Sequence, residues 1–199
     1  MLLQIPTRAS GKSGSPPVDG GPARQVSNTP QGGAIAPAWS PDGRQITFNT
    51  GRYESDIWIA SSSGAHARSF PHPADDTFPE FSPSGRWLTF GSNRSGGDRL
   101  WRMPAGGGDA SPVTPEHHGP LVFHRYSPDG SHIYFVGMGD RAGTIWQISA
   151  DGTGERQATD LSGRRGYLEP LSLATDGRDL YFTWGEDLGD IWVMDVVRP

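Results

Sequence analysis

Three arginines stand at matching intervals and carry the clearest binding chemistry in the chain. Arg52, Arg94 and Arg141 lie 42 and 47 residues apart, each in a polar segment between two apolar runs. The guanidinium group of arginine presents its N–H donors in a planar fork that fits a carboxylate. We therefore expect a binding rim for a carboxylate-bearing partner. The alternative, which the sequence favours, is that each arginine pairs with the aspartate that follows it and ties its own loop.

The corresponding segment near the C-terminus has a different composition. It reads Trp184-Gly185-Glu186-Asp187, which is aromatic and acidic. An exposed aromatic side chain at the border of a loop is a common anchor for a protein partner. Trp184 is therefore the fourth residue of the expected rim.

Other patterns that could support catalysis or cofactor binding are incomplete. Residues 10–14 resemble the end of a phosphate-binding loop, but Pro6 stands where that motif needs a glycine. His117 and His118 are adjacent, and neighbouring side chains point in different directions on an extended chain. Neither a His-Glu-x-x-His nor a Gly-x-Ser-x-Gly motif occurs. We predict no catalytic residue, no cofactor, no metal and no enzymatic activity.

Aspartates recur at one more position, just before a short run that contains tryptophan. They are Asp56, Asp98 and Asp190. Carboxylates in such a loop could bind calcium. The interpretation that we favour is a hydrogen bond that caps the start of a strand.

Composition limits the possible partners and surroundings. The 199 residues carry a formal net charge of −5, which argues against nucleic acid as a partner. Cysteine is absent, so disulfides and thiolate metal sites are excluded. No apolar run of about 18 residues occurs, so no transmembrane helix is expected. Residues 1–6 are too short for the apolar region of a signal peptide, and both the periplasm and the cytoplasm of a bacterium stay open as locations.

A four-residue turn motif occurs four times and determines the predicted architecture. The copies are Ser40–Gly43, Ser82–Gly85, Ser127–Gly130 and Ala174–Gly177. Their third residues lie 42, 45 and 47 positions apart, and the tryptophans that follow lie 43, 45 and 46 apart. A period in the forties with several strands per period indicates a β-propeller. We therefore predict an all-β fold with four blades of antiparallel strands, in which the turn glycines adopt positive φ.

The ends of the chain suggest how the propeller could close. Blades are predicted at about 34–76, 77–119, 120–166 and 167–199, and the last has three strands and no fourth. Residues 1–33 are interpreted as the remnant of a preceding blade, a flexible loop and a closing strand. Because an unpaired edge invites aggregation, we expect residues 23–27 to pair with residues 191–196. The alternative is an open arc in which residues 2–27 flank the first blade.

The repeat resembles the TolB-like family of β-propeller repeats, a relative of WD-repeat propellers. The segments 40–48 and 127–135 fit its Ser-Pro-Asp-Gly-x-x-Ile-x-Phe pattern best, whereas 82–90 has Ser84 in place of aspartate and 174–182 is the most divergent. The resemblance covers residues 34–197 and implies the fold rather than a particular function. The family includes six-bladed periplasmic proteins of the Tol envelope system and modules beside peptidase, kinase or winged-helix domains. The chain looks like an N-terminally truncated member.

Three functions remain open on the sequence. The first is a non-enzymatic module that recognises a protein or peptide partner of unknown identity. The second is a regulatory or substrate-gating propeller that belongs with an enzyme or signalling parent. The third is an enzyme that uses the central channel, which clustered carboxylates or a bound metal would favour.

Overall fold

The structure is a computed structural model, and every regular element that it describes is a β-strand. It describes residues 14–15, 24–29, 33–51, 54–115, 121–137, 143–161, 163–169, 171–185 and 191–195. In this part of the chain no helix is long and apolar enough to cross a membrane.

Four antiparallel sheets follow one another along the chain and form the four blades of a β-propeller, as predicted. A short two-stranded sheet precedes them and pairs β1 (Gly14–Ser15) with β2 (Arg24–Gln25). Blade 1 contains β3 (Ala34–Trp39), β4 (Gln45–Thr50), β5 (Asp56–Ser61) and β6 (Arg68–Phe70). Blade 2 contains β7 (Asp76–Phe81), β8 (Trp87–Ser92), β9 (Arg99–Pro104) and β10 (Ser111–Pro112). Blade 3 contains β11 (Leu121–Tyr126), β12 (His132–Gly137), β13 (Thr144–Ser149) and β14 (Arg156–Gln157). Blade 4 contains β15 (Tyr167–Leu168), β16 (Ala174–Thr175), β17 (Asp179–Gly185) and β18 (Ile191–Asp195).

The recurring turn joins the first two strands of each blade through side-chain hydrogen bonds. In blade 1 the Ser40 hydroxyl donates to Asp42 at 2.6 Å and accepts from the Gln45 N–H at 2.8 Å. Asp42 in turn accepts from the Arg44 N–H at 3.0 Å. The turn glycine has φ of +68° at Gly43 and +73° at Gly130, which confirms the predicted left-handed conformation.

The first strand of each blade is irregular. Its pairing shifts between Ile35 and Ala38, between Thr77 and Glu80, and between Leu121 and Phe123. In blade 4 the first strand is divided in two. Both β15 and β16 pair with β17, at different parts of that strand, and β18 also pairs with β17. A first strand divided into β15 and β16 therefore stands where the other blades have a single bulged strand.

Packing between blades repeats along the chain. Phe81 of blade 2 packs with Ile57 and Ile59 of blade 1, and Tyr126 of blade 3 packs with Leu100 and other residues of blade 2. Leu173 of blade 4 packs in the same way against blade 3. Phe81, Tyr126 and Leu173 each directly precede the turn motif of their blade, so in blades 2 to 4 this position of the repeat is buried against the preceding blade.

In blade 1 the equivalent residue is Trp39, and its exposure shows where the stack of blades begins. Trp39 is 50% exposed, whereas its equivalent Phe81 is 5% exposed. At the other end Tyr181 of blade 4 is 36% exposed, although its equivalents Thr47 and Thr89 are fully buried. Trp39 and Trp87 do not pack between blades as core side chains would, because both are more than a third exposed.

The predicted pairing of residues 23–27 with residues 191–196 is not formed in the described part of the chain. Arg24–Gln25 pairs with Gly14–Ser15, and β18 pairs with β17 in a separate sheet. A Cβ on Gly64 would lie 2.9 Å from the carbonyl oxygen of Val26, much as one on Gly152 would lie 3.1 Å from that of Val113. Val26 thus occupies the place that an outer strand of the preceding blade takes elsewhere, as in the open-arc alternative.

Candidate functional site

Of the three recurring arginines, the structure describes Arg94, and its donors are already engaged. Its Nη2 donates to Asp76 at 2.6 Å and its Nε donates to the Ser92 hydroxyl at 3.1 Å. The guanidinium also lies over the rings of Phe90 and Trp101, at 5.0 and 5.2 Å from their centroids. Arg94 therefore ties its loop to the blade, although through the preceding Asp76 rather than the following Asp98. Arg52 and Arg141 lie outside the described residues, so convergence of the three arginines on one rim stays a prediction.

Trp184 is buried, which corrects the expectation of an exposed aromatic anchor. Its side chain is 1% exposed and belongs to the core between blades 3 and 4. The indole N–H donates to the backbone carbonyl of Arg165 at 3.1 Å. Trp184 lies in β17 opposite Leu168, and the residue faces the core because the broken first strand covers it.

Of the recurring aspartates, Asp56 takes part in a backbone hydrogen bond. Asp56 accepts a hydrogen bond from the His72 N–H at 3.1 Å, which supports the interpretation as a cap. Burial raises the pKa of Asp98, and the charge of Asp75 adds to the rise. Asp190 lies outside the described residues, as do the His117–His118 pair and residues 10–13 of the phosphate-loop resemblance. Among the described residues no three His, Asp or Glu side chains are grouped as a metal site would require.

The inner strands of blades 2 and 3 bring together an acid and a base that sequence reasoning missed. The first strands β7 and β11 are neighbours, and first strands line the central channel of a propeller. Glu80 of β7 and Arg125 of β11 approach to 3.6 Å between Oε1 and Nη1. Their side chains are 19% and 22% exposed, so both reach the surface of this wall.

Two aromatic rings extend the same wall. Phe78 of β7 and Phe123 of β11 meet edge to face, with ring centroids 6.0 Å apart. The Arg125 guanidinium lies over the Phe123 ring at 4.3 Å, a favourable cation–π distance. Phe78 sits at the bulge with φ of +52°, which turns its side chain out of the regular alternation. We call Phe78, Glu80, Phe123 and Arg125 the inner-wall site.

His124 lies directly behind this site. Its Nε2 is 3.9 Å from Oε2 of Glu80, and its side chain is 1% exposed. Burial lowers the pKa of His124 to about 3, and the charge of Arg125 lowers it further, while a hydrogen bond to the Thr89 backbone opposes both effects. Burial raises the pKa of Glu80 to about 7 against the opposing charge of Arg125. At neutral pH the imidazole is therefore neutral and the carboxyl group is close to its midpoint.

A signal for this site was present in the sequence. Glu80 and Arg125 both stand four residues before the third turn residue of their repeat, where blades 1 and 4 have Ala38 and Ser172. Opposite charges at equivalent positions of consecutive inner strands indicate a pair across a junction. The bulges that rotate these side chains toward one another carry no comparable signal.

Comparison with known proteins places the fold in a family. The model of the TolB beta propeller domain matches residues 18–196. A protein described as TolB from Agrobacterium tumefaciens superposes with a TM-score of 0.77 and 21% identity, over 94% of this chain and 71% of that one. TolB from Acinetobacter baumannii gives a TM-score of 0.69 and 18% identity, over 87% of this chain and 43% of that one. No curated protein matches the sequence.

An enzyme is also among the similar structures. A puromycin-hydrolyzing peptidase from Mycobacterium tuberculosis gives a TM-score of 0.65 and 14% identity, over 86% of this chain and 28% of that one. Identities this low show a shared fold and nothing about activity, and this chain spans less than half of the Acinetobacter protein. The family match, by contrast, covers most of the sequence and agrees with the four blades observed. The chain belongs to the TolB beta propeller domain family.

Proposed function

We propose that this propeller is a non-enzymatic recognition module that binds a protein or peptide partner at the inner-wall site. One observation carries the proposal, namely the unused hydrogen-bonding capacity of Arg125. Its Nη1 lies 3.5 Å from the His124 carbonyl and 3.6 Å from Glu80, both long distances for a hydrogen bond. In the described part of the molecule, Nε and Nη2 of Arg125 make no hydrogen bond.

Arg94 and Arg125 differ in a way that bears on binding. Arg94 donates hydrogen bonds to Asp76 and Ser92, whereas Arg125 is held mainly by stacking on Phe123. A guanidinium that is stacked, partly exposed and short of acceptors is preorganised for a ligand. Arginine and aromatic side chains are also the residues that dominate the energetics of protein interfaces.

The non-enzymatic part of the proposal is supported by the recurring serines. The hydroxyls of Ser40 and Ser127 donate to an aspartate of their own turn, and both side chains are buried. A serine nucleophile needs an adjacent base and an open approach for substrate. These serines therefore serve the turn, and their recurrence follows from the recurrence of the structure.

The experiment is selection of peptides from a random display library on the purified chain, followed by calorimetry of the selected peptides. We expect Arg125→Gln to weaken their binding at least tenfold, because it removes the charged fork of the site. Arg44→Gln is the matched control, since Arg44 is exposed on the turn of blade 1, away from the inner strands. Equal affinity of the wild-type chain and the Arg125→Gln variant would refute the proposal, and so would a selection that enriches no peptide.

A further inference from the structure

Two buried hydrogen-bond acceptors face each other behind the inner-wall site. Oε2 of Glu80 and Nε2 of His124 are 3.9 Å apart, and in the described structure neither atom has a hydrogen-bond partner. The imidazole hydrogen bond to the Thr89 backbone raises the pKa of His124, as a bond to a carbonyl acceptor does. Since Nε2 is unpaired, that bond uses Nδ1–H, and Nε2 presents its lone pair to the carboxyl group.

Two lone pairs that face each other out of water are unfavourable unless a proton lies between them. We propose that protonation of Glu80 opens the inner-wall site to a carboxylate ligand. On protonation the carboxyl group turns toward His124, which shortens the 3.9 Å between Oε2 and Nε2 to hydrogen-bond distance, and Oε2 donates to Nε2. Arg125 then loses its internal counter-ion and binds the carboxylate of the ligand. This inference rests on the proposed function, because Arg125 is the contact residue in both.

The charges of the ionised and protonated forms of Glu80 explain why the site binds a carboxylate only after protonation. With Glu80 ionised, the Glu80–Arg125 pair is neutral and its carboxylate repels an incoming anion. With Glu80 protonated, Arg125 carries an uncompensated positive charge against the aromatic ring of Phe123. Above the pKa of Glu80 the uptake approaches one proton for each carboxylate bound, so acidification and the ligand favour each other.

The surroundings of Glu80 contain few competing charges. The ionisable residues of strand β11 are His124, Arg125 and Tyr126. The charge of Arg102 in β9 lowers the pKa of the Tyr126 hydroxyl against the effect of burial. The adjoining strands β3, β4 and β8 carry no ionisable residue. Farther along, Asp76 at the start of β7 is bound to Arg94, and Asp56 at the start of β5 is hydrogen-bonded to the His72 backbone.

The direction of proton sharing agrees with the electrostatics of the pair. Burial raises the pKa of Glu80 to about 7 and lowers that of His124 to about 3, so the shared proton resides on the carboxyl group. Tyr126 is also buried, which raises the pKa of its phenol and keeps it neutral over the same range. Glu80 is therefore the group that titrates at this wall near neutral pH.

The test uses two probes, N-acetyl-tetraalanine with a free C-terminal carboxylate and the same peptide as its C-terminal amide. Binding is followed by NMR shifts of the whole chain at pH 6, 7 and 8. We expect the carboxylate peptide to bind about tenfold more weakly at pH 8 than at pH 6, because the competent fraction falls by that factor. The amide should show no such dependence.

Variants separate the proton switch from the binding site. Glu80→Gln mimics the protonated acid and its amide can donate to His124, so binding should be strong and independent of pH. Glu54→Gln is the matched control, because Glu54 is exposed in another loop and should leave the wild-type profile unchanged.

The outcomes distinguish this inference from the proposed function. Carboxylate binding that is flat with pH, stronger at pH 8, or absent at pH 6 overturns the switch and leaves the display experiment to decide the function. A carboxyl ¹³C titration of Glu80 with its midpoint below pH 5 overturns the switch as well. If Arg125→Gln binds the carboxylate peptide as the wild-type chain does, the proposed function itself is wrong.

Discussion

At the scale of single residues, Arg94 is engaged by its own blade, whereas Arg125 is the arginine for which we propose a role in recognition. Recurrence in the sequence singled out Arg94, yet its partners are Asp76 and Ser92, two residues of its own blade. Arg125 does not recur, because blades 1 and 4 carry Ala38 and Ser172 at its position. The sequence could thus predict which arginine belongs to the repeat. It could not predict Phe78, Glu80 and Arg125 as one site, since a bulge brings them together.

Arg94→Ala should destabilise the fold. The Asp76 carboxylate is 2% exposed, and removing Arg94 leaves it buried without its cation. Breaking such a pair costs roughly 2–4 kcal/mol of the free energy of unfolding, whereas an exposed substitution costs at most about 0.5 kcal/mol. Urea denaturation measures the loss, with Arg44→Ala as the exposed control. A loss for Arg94→Ala no larger than that of the control would contradict the structural role of Arg94.

Glu80 and His124 should give opposite pH dependences of stability. The pKa of Glu80 rises from 4.5 to about 7 on folding. Its contribution to the free energy of unfolding is therefore complete below pH 4.5 and is lost as the pH rises through 7. The pKa of His124 falls from 6.5 to about 3, so its contribution is complete above pH 6.5 and is lost as the pH falls through 3. Between pH 4.5 and 6.5 the two slopes cancel in the wild-type chain.

Single variants should expose each slope. His124→Asn leaves only the pH dependence that comes from Glu80. The free energy of unfolding of this variant should therefore rise by about 1 kcal/mol or more on acidification from pH 7 to 5. Glu80→Gln leaves only the pH dependence that comes from His124, so the free energy of unfolding of this variant should fall over the same pH range. Urea unfolding at pH 5, 6 and 7 decides the matter, and parallel profiles for both variants would show that the two groups are not perturbed as described.

At the scale of elements, the turns stack on one another along the propeller. A Cβ on Gly130 would lie 3.5 Å from the ring of Pro83, and one on Gly177 would lie 3.3 Å from Pro128. Gly43 has no such neighbour. The sequence predicted the turns and their positive φ, because proline, aspartate and glycine impose them. The broken first strand of blade 4 was not predictable in this way, because it depends on packing against blade 3, in which Leu173 takes part.

Valine substitutions separate backbone strain from stacking. Gly43→Val and Gly130→Val share the cost of a positive φ, on the order of 1–3 kcal/mol. Gly130→Val adds a branched side chain against Pro83, which should bring roughly 1 kcal/mol more. Thermal or urea unfolding compares the two variants. Equal losses would mean that neighbouring turns do not press on each other.

At the scale of the whole molecule, the described blades stack in one direction. Trp39 of blade 1 and Tyr181 of blade 4 lie at the two ends of this stack and are exposed, whereas their equivalents in the blades between are buried. The sequence predicted four blades but favoured a closed ring, because pairing the two ends would hide an edge strand. Among the described residues this pairing is not formed, since Val26 packs on blade 1 against Gly64 instead.

Equivalent substitutions at the two positions test this arrangement. Phe81→Ala removes a side chain buried between blades and should cost roughly 3–4 kcal/mol, whereas Trp39→Ala should cost less than about 1 kcal/mol because half of Trp39 is exposed. Denaturant unfolding gives both values. A loss for Trp39→Ala as large as that for Phe81→Ala would place Trp39 inside a closed ring.

The central claim is that recognition takes place on the inner strands of blades 2 and 3, and an NMR footprint tests it most directly. The probe is N-acetyl-tetraalanine with a free carboxylate, added to the isotope-labelled chain at pH 6. We predict that shift changes concentrate at residues 78–81 and 123–126, around Glu80 and Arg125. Changes confined to the turns near Asp42, Ser84 and Asp129, or spread evenly over the surface, would contradict the claim.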